Sequence, residues 1–450
     1  MRCCANKCTG NQSGSVLVIV LWITFGIVSL ALYFGQSASL ELRAADNRAA
    51  SLAAKFAIDG TARYVSYLLG NLSDPGTLPK IANYQQEQIQ IGEAKAWMIG
   101  RDNQITTPSR PYYGLVDEAS KLNLNTATVA MLELLPGMTS ELAAAIIDWR
   151  DEDSEMTEVG AEDEIYLRLA PAYHCKNSPF ETLGELRMVA GANLWSLYGE
   201  DSNLNGVLDQ NENDGDVSLP QDNRDGRLDA GLFEFLTIYS REANTNSEGT
   251  ARVAITGTGF AQRVAPLLQE KYGVERANQI LGNTGPANTA FTSLLEFFVR
   301  SGMTENEFTN IETSLSITNG AYVEGLVNVC TAREEVLACI PGIGVEKASE
   351  IVAYRLANPD KMNSVAWVAS VLDAAQARLA GRYITGHSYQ FSADIAAVGR
   401  YGRGFKRERF IFDTTSATPR IVHREDLTHH GWALGRQTWT DLRQFAGMTQ

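Results

Sequence analysis

Residues 15–34, SVLVIVLWITFGIVSLALYF, carry no charge, and their only polar side chains are small hydroxyls. At a rise of ~1.5 Å per residue such a run just crosses a ~30 Å hydrocarbon core. No proline occurs from Ser15 until Pro75, and Ala45, Ala49, Leu52, Phe56, Gly60, Tyr64 and Leu68 recur every three or four positions. The pattern predicts one continuous helix, its first third in a membrane and its apolar stripe packed on a soluble domain. Residues 93–101 and 112–124 then read as short strands, broken by Thr-Pro-Ser-Arg-Pro at 107–111. From Asn125 the period is helical again: Thr126 caps a helix running to Leu135, Pro136-Gly137 breaks it, and Ser140 to Arg150 forms a second. Further helices are expected over 251–320. Strands return at 389–398, 406–414 and 419–423, and the tail from Gly431 shows no clear period. Early and late strands with helices between them predict one antiparallel sheet, with one solvated face, interrupted by a large helical insertion.

The helical unit occurs twice. LNLNTATVAMLELLPGMTSELAAAIIDWR (122–150) aligns without gaps to VNVCTAREEVLACIPGIGVEKASEIVAYR (327–355), 205 positions later. Asn123 matches Asn328, Thr126 matches Thr331, Pro136-Gly137 matches Pro341-Gly342, and Arg150 matches Arg355. Two helices joined by a Pro-Gly turn resemble the helix-hairpin-helix family. A weaker third copy is expected at 180–191.

A chain of 450 residues is long enough for several cores, and a net charge of −15 argues against a nucleic-acid surface. Six cysteines form no disulfide framework: Cys3, Cys4 and Cys8 precede the apolar run, and Cys175, Cys330 and Cys339 are expected to stay unbridged. Arg2 and Lys7, with no acid before Ser15, predict a cytoplasmic N-terminus and an exported remainder. An uncleaved anchor fits the length of the run better than a secretory signal cut near Ser37-Ala38-Ser39.

The most acidic and Asn-rich stretch is 201–235. Asp201, Asn203, Asn205, Gly206, Val207, Asp209 and Glu212 occupy positions 1, 3, 5, 6, 7, 9 and 12 of a calcium loop. A hard cation needs oxygens delivered alternately around a tight turn, and this spacing supplies them. The competing reading is a solvated Asx-turn loop. A second ion is expected at Asn223, Asp225 and Asp229, with Asp214, Asp216 and Asp222 available to complete the set, because Gln221 and Leu232 stand where acids belong. The cofactor expected is therefore Ca2+, at one site or two.

No G-x-S-x-G, P-loop or H-E-x-x-H is present, and the few histidines, among them His423, His429 and His430, read as exposed side chains. The hairpin glycines could hold a phosphate through backbone N–H groups. Glu141 and Glu346 at the starts of the following helices oppose that, so no nucleic-acid partner is expected.

A short basic leader ending in Gly14, LVDEASKLNLNTA (115–127) followed by LLPGMTSELAAAIIDWRDED (134–153), the second NVCTA…PGIG unit and the acidic insert together resemble the type II secretion minor pseudopilin K family. The resemblance implies an α+β pseudopilin fold, a long N-terminal helix on an antiparallel sheet, with an inserted α-helical domain containing helix-hairpin-helix-like repeats. It implies a leader at 1–14, a membrane part at 15–35, helix continuation and first strands at 36–124, the insertion at 125–380, and sheet completion at 381–450. It further implies a non-enzymatic tip subunit that helps initiate pseudopilus assembly. A prepilin peptidase would cut after Gly14 and methylate Ser15. Expected partners are minor pseudopilins I and J, the major pseudopilin, the assembly platform and the inner membrane, with a large periplasmic domain. Most pseudopilins carry Glu at the fifth mature position, where this chain has Ile19; a subunit with none above it does not need that buried acid. Two other classes stay open: a competence-type helix-hairpin-helix DNA receptor, and a membrane-anchored calcium-binding adhesion module.

Overall fold

The structure, a computed structural model, describes residues 13–102, 110–246, 249–285, 291–416 and 418–447. Most of the leader and the Thr-Pro-Ser-Arg-Pro break lie outside these residues. One helix runs unbroken over Ser13–Gly70. Its apolar side chains from Val16 to Phe34 stand exposed, and by length and composition this part can cross a membrane.

Only the second half of the helix is packed, and on a different face from the one expected. Leu52 and Phe56 point outward, while Ala50, Ala54, Ala57, Ile58, Thr61, Ala62, Val65 and Leu69 are buried. Small residues win the inner face because the helix sits almost on the backbone of the sheet. A Cβ on Gly399 would lie 2.3 Å from the Ala50 carbonyl oxygen, and one on Gly404 would lie 2.3 Å from the Ser51 nitrogen. Periodicity alone does not distinguish a stripe of large side chains from a stripe of small ones that permits close approach.

The sheet is built from both ends of the chain. Its strand order is Ile89–Ile91, Ala94–Ile99, Gln390–Val398, Lys406–Asp413 and Arg420–Asp426, all antiparallel, with Val116–Asp117 also paired to Gln390–Val398. The helix covers one face through Ala96, Met98, Phe391, Ile395, Phe410 and Phe412. The other face was expected to meet water and does not. Every residue of the central strand Gln390–Val398 is buried. Trp97, Ile99 and Val398 lie under Ala433 and Leu434 of the tail, which closes with a helix over Gly435–Gly447. Beside them Arg407 is wholly buried, its guanidinium paired with Asp394 at 2.6 Å. Arg409 pairs with the same Asp394 at 3.7 Å, while Arg424, on the largely exposed edge strand Arg420–Asp426, pairs with Asp59 of the long helix at 2.9 Å.

The insertion is helical, with a single large core. The two aligned units fold alike. Each starts with a parallel two-residue ladder, Leu122–Asn123 against Leu236–Thr237 and Val327–Asn328 against Ile384–Thr385. Each ends with an arginine reaching back to the unit's first turn: Arg150 to the Leu124 and Ala127 carbonyls, Arg355 to Val329 at 3.2 Å and Ala332 at 2.8 Å. The first helix is shorter than expected, Val129–Leu132, and its cap is Thr128, whose hydroxyl accepts the Met131 N–H.

A third ladder of the same kind lies at 253–316, where Val253–Ala254 pairs with Leu315–Ser316 and the Ile255 N–H donates to the Ser316 carbonyl. Leu124 and Val329 donate to Thr237 and Thr385 in the same way. Residues 183–188, within the stretch expected to hold the third copy, form a 3-10 turn, followed by left-handed Gly191 (φ 85°) and the Asn193-capped helix Leu194–Tyr198, the order seen in the two aligned units. The long helix Phe260–Asn283, bent at Gly273, lies between the two strands of this ladder. Cys175, Cys330 and Cys339 are free thiols.

Candidate functional site

Residues 201–212 fold as a closed turn whose expected ligands meet. Both Asp201 oxygens accept backbone N–H groups, from Asn205 at 2.9 Å and Gly206 at 2.8 Å. Asn203 Oδ1 accepts the Asn205 N–H at 3.0 Å, and Asn205 Oδ1 the Val207 N–H at 2.7 Å. The amide nitrogens of Asn203 and Asn205 converge on one oxygen of Asp209, at 2.8 and 3.0 Å. Glu212 closes the ring, accepting from Ser202 and Asp209 backbone N–H groups at 3.1 and 3.0 Å. Gly206 has a φ of 72°, the left-handed conformation that favours glycine at this position. Asp201, Asn205 and Glu212 are almost fully buried. Burial, and next the charge of Asp201, pushes the Glu212 carboxyl up to about 8. A divalent cation among these oxygens would reverse that by favouring the ionised form.

The loop is clamped to the sheet. Arg407 donates to the carbonyls of Asn203 and Leu204, the latter at 2.7 Å. Arg101, just after an early strand, donates to the same Leu204 oxygen at 3.0 Å and pairs with Glu234 at 2.9 Å. The tail contributes the Trp432 carbonyl, which accepts from Asn203 at 3.2 Å, and His430, whose Nδ1 lies 3.2 Å from the Ser202 oxygen. His430 is therefore partly buried, against the expectation of exposure. Burial, then neighbouring His429, pushes it down to about 4.

The second loop repeats several bonds of the first, but borrows its ends. Asn223 Oδ1 accepts the Asp225 N–H at 2.9 Å, Asp225 Oδ1 accepts the Arg227 N–H at 2.8 Å, and Asn223 donates to Asp229 at 2.9 Å. The Gly226 N–H, equivalent to that of Gly206, goes to Asn213 Oδ1 at 3.2 Å. The Asp229 N–H goes to Glu200 at 3.0 Å, as that of Asp209 goes to Glu212. Glu200 and Asn213 thus take the places of positions 12 and 1. They flank the first loop on either side, so the two turns interlock. Asp214 instead turns onto Ser218 at 2.7 Å, Asp216 is exposed, and Asp222 accepts the Asp214 and Gly215 N–H groups at 2.9 Å. Sequence spacing missed Glu200 and Asn213 because they precede their loop in the chain. The signal available was the acid or amide immediately outside each end of the first loop.

Ahead of both loops lies the first repeat. Residues 119–195 match the family described as type II secretion system (T2SS), protein K. This segment is similar to protein K. Protein K of Klebsiella pneumoniae is 43% identical over 58 residues, 13% of this chain and 18% of that one. Protein K of Pectobacterium carotovorum subsp. carotovorum is 31% identical over 105 residues, 23% of this chain and 27% of that one. The matched stretches thus span less than a third of either relative's length. Among solved structures, a chain of the GspK-GspI-GspJ complex from the enterotoxigenic Escherichia coli type 2 secretion system aligns over 87% of this chain and 96% of its own, at 10% identity and a TM-score of 0.37. The matched segment contains the whole first repeat and ends just before the acidic loops.

Proposed function

We propose that the chain is a minor pseudopilin of a type II secretion system, a structural subunit that helps to initiate a pseudopilus from its tip. The observation that carries this is the protein K segment at 119–195, inserted between the early and late strands of a sheet packed by a long, apolar-fronted helix. Prepilin peptidase cuts after Gly14 and methylates Ser15. Residues 15–35 then anchor the chain in the inner membrane, N-terminus inward, with the remaining domains in the periplasm. The outward face of the helix keeps Leu42, Leu52 and Phe56 exposed, as a subunit that packs beside other such helices requires. Ile19 in place of an acid suits the uppermost subunit.

Calcium occupies the interlocked loops, one ion on Asp201, Asn203, Asn205, Val207, Asp209 and Glu212, the other on Asn223, Asp225 and Asp229 with Glu200 and Asn213. Since the first loop touches the sheet through Arg407 and the tail through Trp432, the ions brace the insertion against the pseudopilin core. The DNA-receptor reading is weaker. The second hairpin is packed rather than open: a Cβ on Gly342 would meet Leu379 Cβ at 2.8 Å and the Gln376 oxygen at 2.9 Å.

Partners follow from the same reading: the I- and J-type minor pseudopilins, then the major pseudopilin and assembly platform. Co-expression of this chain with the I- and J-type pseudopilins of its own system tests it. A ternary complex of equal stoichiometry is expected after detergent extraction. Purification of this chain alone, with I and J present and folded, would count decisively against it.

A further inference from the structure

A cavity of about 380 Å3 lies where the insertion meets the two outer strands of the sheet, at the small end of the range for ligand pockets. The turn at 118–121 and the segments 182–188 and 237–239 wall one side. Arg409 and Ile411 of the strand Lys406–Asp413, with residues 423–425 of the edge strand, wall the other. Two half-buried cations, Lys121 and Arg409, line it together. Among the described residues no acceptor meets the Lys121 ammonium, and no carboxylate comes within ion-pair reach of it. Arg409 makes no hydrogen bond and reaches Asp394 only at 3.7 Å. The Tyr239 hydroxyl beside them is likewise without a hydrogen bond, its ring resting 5.8 Å from that of His423.

The acids nearby are already committed. Asp394 is held by Arg407 at 2.8 and 2.6 Å, and Glu234 by Arg101 at 2.9 Å and Arg333 at 3.4 Å. Glu185 goes to Lys176 at 2.7 Å, and one oxygen of Glu118 accepts the Thr237 hydroxyl. Glu425, opposite Arg409 in the strand register, makes no ion pair among the described residues. Burial pushes Lys121 down from the ordinary lysine range, and Arg409 adds to this, against the pull of Glu118 and Glu234. Two cations with uncommitted donors, side by side in a part-closed cavity, repel each other until an anion meets both.

We infer that this cavity binds a carboxylate side chain carried on an extended segment of a partner protein, its oxygens taken by Lys121 and Arg409 with the Tyr239 hydroxyl beside them. Glu118 and Glu425 in the lining suit a ligand of one negative charge and oppose the higher charge of a phosphate. The wall itself favours a peptide over a free anion. The edge strand Arg420–Asp426 has no strand on its outer side among the described residues, and its Ile421 and Val422 are 48% and 46% exposed. A segment added along that edge sets alternate side chains beside His423 and Glu425, on the cavity side. The site shares no residue with the acidic loops and holds whether or not the chain is processed as a pseudopilin.

The test uses the full detergent-solubilised chain and the peptide acetyl-Thr-Val-Glu-Val-Thr-amide at millimolar concentration, with its Gln counterpart and inorganic phosphate as controls. Acetylation of Lys121 by acetic anhydride is followed by mass spectrometry, relative to exposed Lys55. The Glu peptide should slow it several-fold, and the Gln peptide and phosphate should leave it unchanged. In calorimetry, Lys121→Met and Arg409→Gln should each weaken the Glu peptide by roughly tenfold or more, the loss of a hydrogen bond between charged groups. Arg409→Lys, which keeps the charge, should weaken it less. No protection by the Glu peptide overturns the inference, as do equal protection by the Gln peptide, protection by phosphate alone, or unchanged affinity in Lys121→Met and Arg409→Gln. Because the labelling is read on the unsubstituted chain, a variant that fails to fold does not blunt the test.

Discussion

The repeats at 122–150 and 327–355 share a sequence pattern, a ladder and an arginine staple, yet they occupy different surroundings. The first hairpin is open: a Cβ on Gly137 would meet nothing within 4 Å, and Leu134 is 59% exposed. The second is pressed against the helix Ala374–Ala380. Their matching asparagines differ likewise. Asn123 donates to the Ser240 hydroxyl at 3.0 Å, whereas Asn328 donates to buried Asp117 at 3.1 Å. Thr331 and Ser388 also donate to Asp117, and the Ala119 amide completes its shell at 2.8 Å. Both modules pack into the one core of the insertion, but the first leaves its hairpin open and the second is a structural joint between insertion and sheet.

If the second unit is the joint, its glycine should be the least replaceable. Gly342→Ala adds a clash to a left-handed backbone (φ 88°), and should cost roughly 2–4 kcal/mol in urea denaturation. Next comes the acid that only the second unit contacts. Burial raises Asp117 to about 6 despite its hydrogen bonds. Its folded pKa lies above the unfolded value, so the unfolded chain loses its proton first as pH rises. Stability should therefore fall by on the order of 2–3 kcal/mol between about pH 4 and pH 6 and show no further loss from this group above that. In Asp117→Asn this part of the pH dependence should vanish; an unchanged profile would assign it to another group.

The staples sharpen the comparison further. Arg355 is 6% exposed, and Arg355→Ala strands two buried carbonyls at a cost of roughly 1–3 kcal/mol. Arg150→Ala, at a half-buried position, should cost about 1 kcal/mol. The smallest effect belongs to Gly137→Ala, about 1 kcal/mol or less for the left-handed backbone alone (φ 72°). Equal losses at Gly137 and Gly342 would erase the distinction between an open hairpin and a packed one.

What could be read from the chain itself follows the same division between self-contained and borrowed. The two repeats, the long helix and the 201–212 loop each keep their determinants at short fixed spacings, so periodicity and register exposed them. The buried face of the helix was misread because Ala50, Ala54 and Ala57 pack closely without being strongly apolar. The buried sheet face was missed because Arg407 and Asp394 look like surface charges until each finds the other across two strands. Glu200 and Asn213 serve a loop they precede.

The central claim is that this chain is processed and assembled as a pseudopilin, and mass spectrometry of the mature N-terminus tests it most directly. The account predicts a chain that has lost residues 1–14 and begins with N-methylated Ser15. An intact Met1, or a start near Leu40, would contradict it.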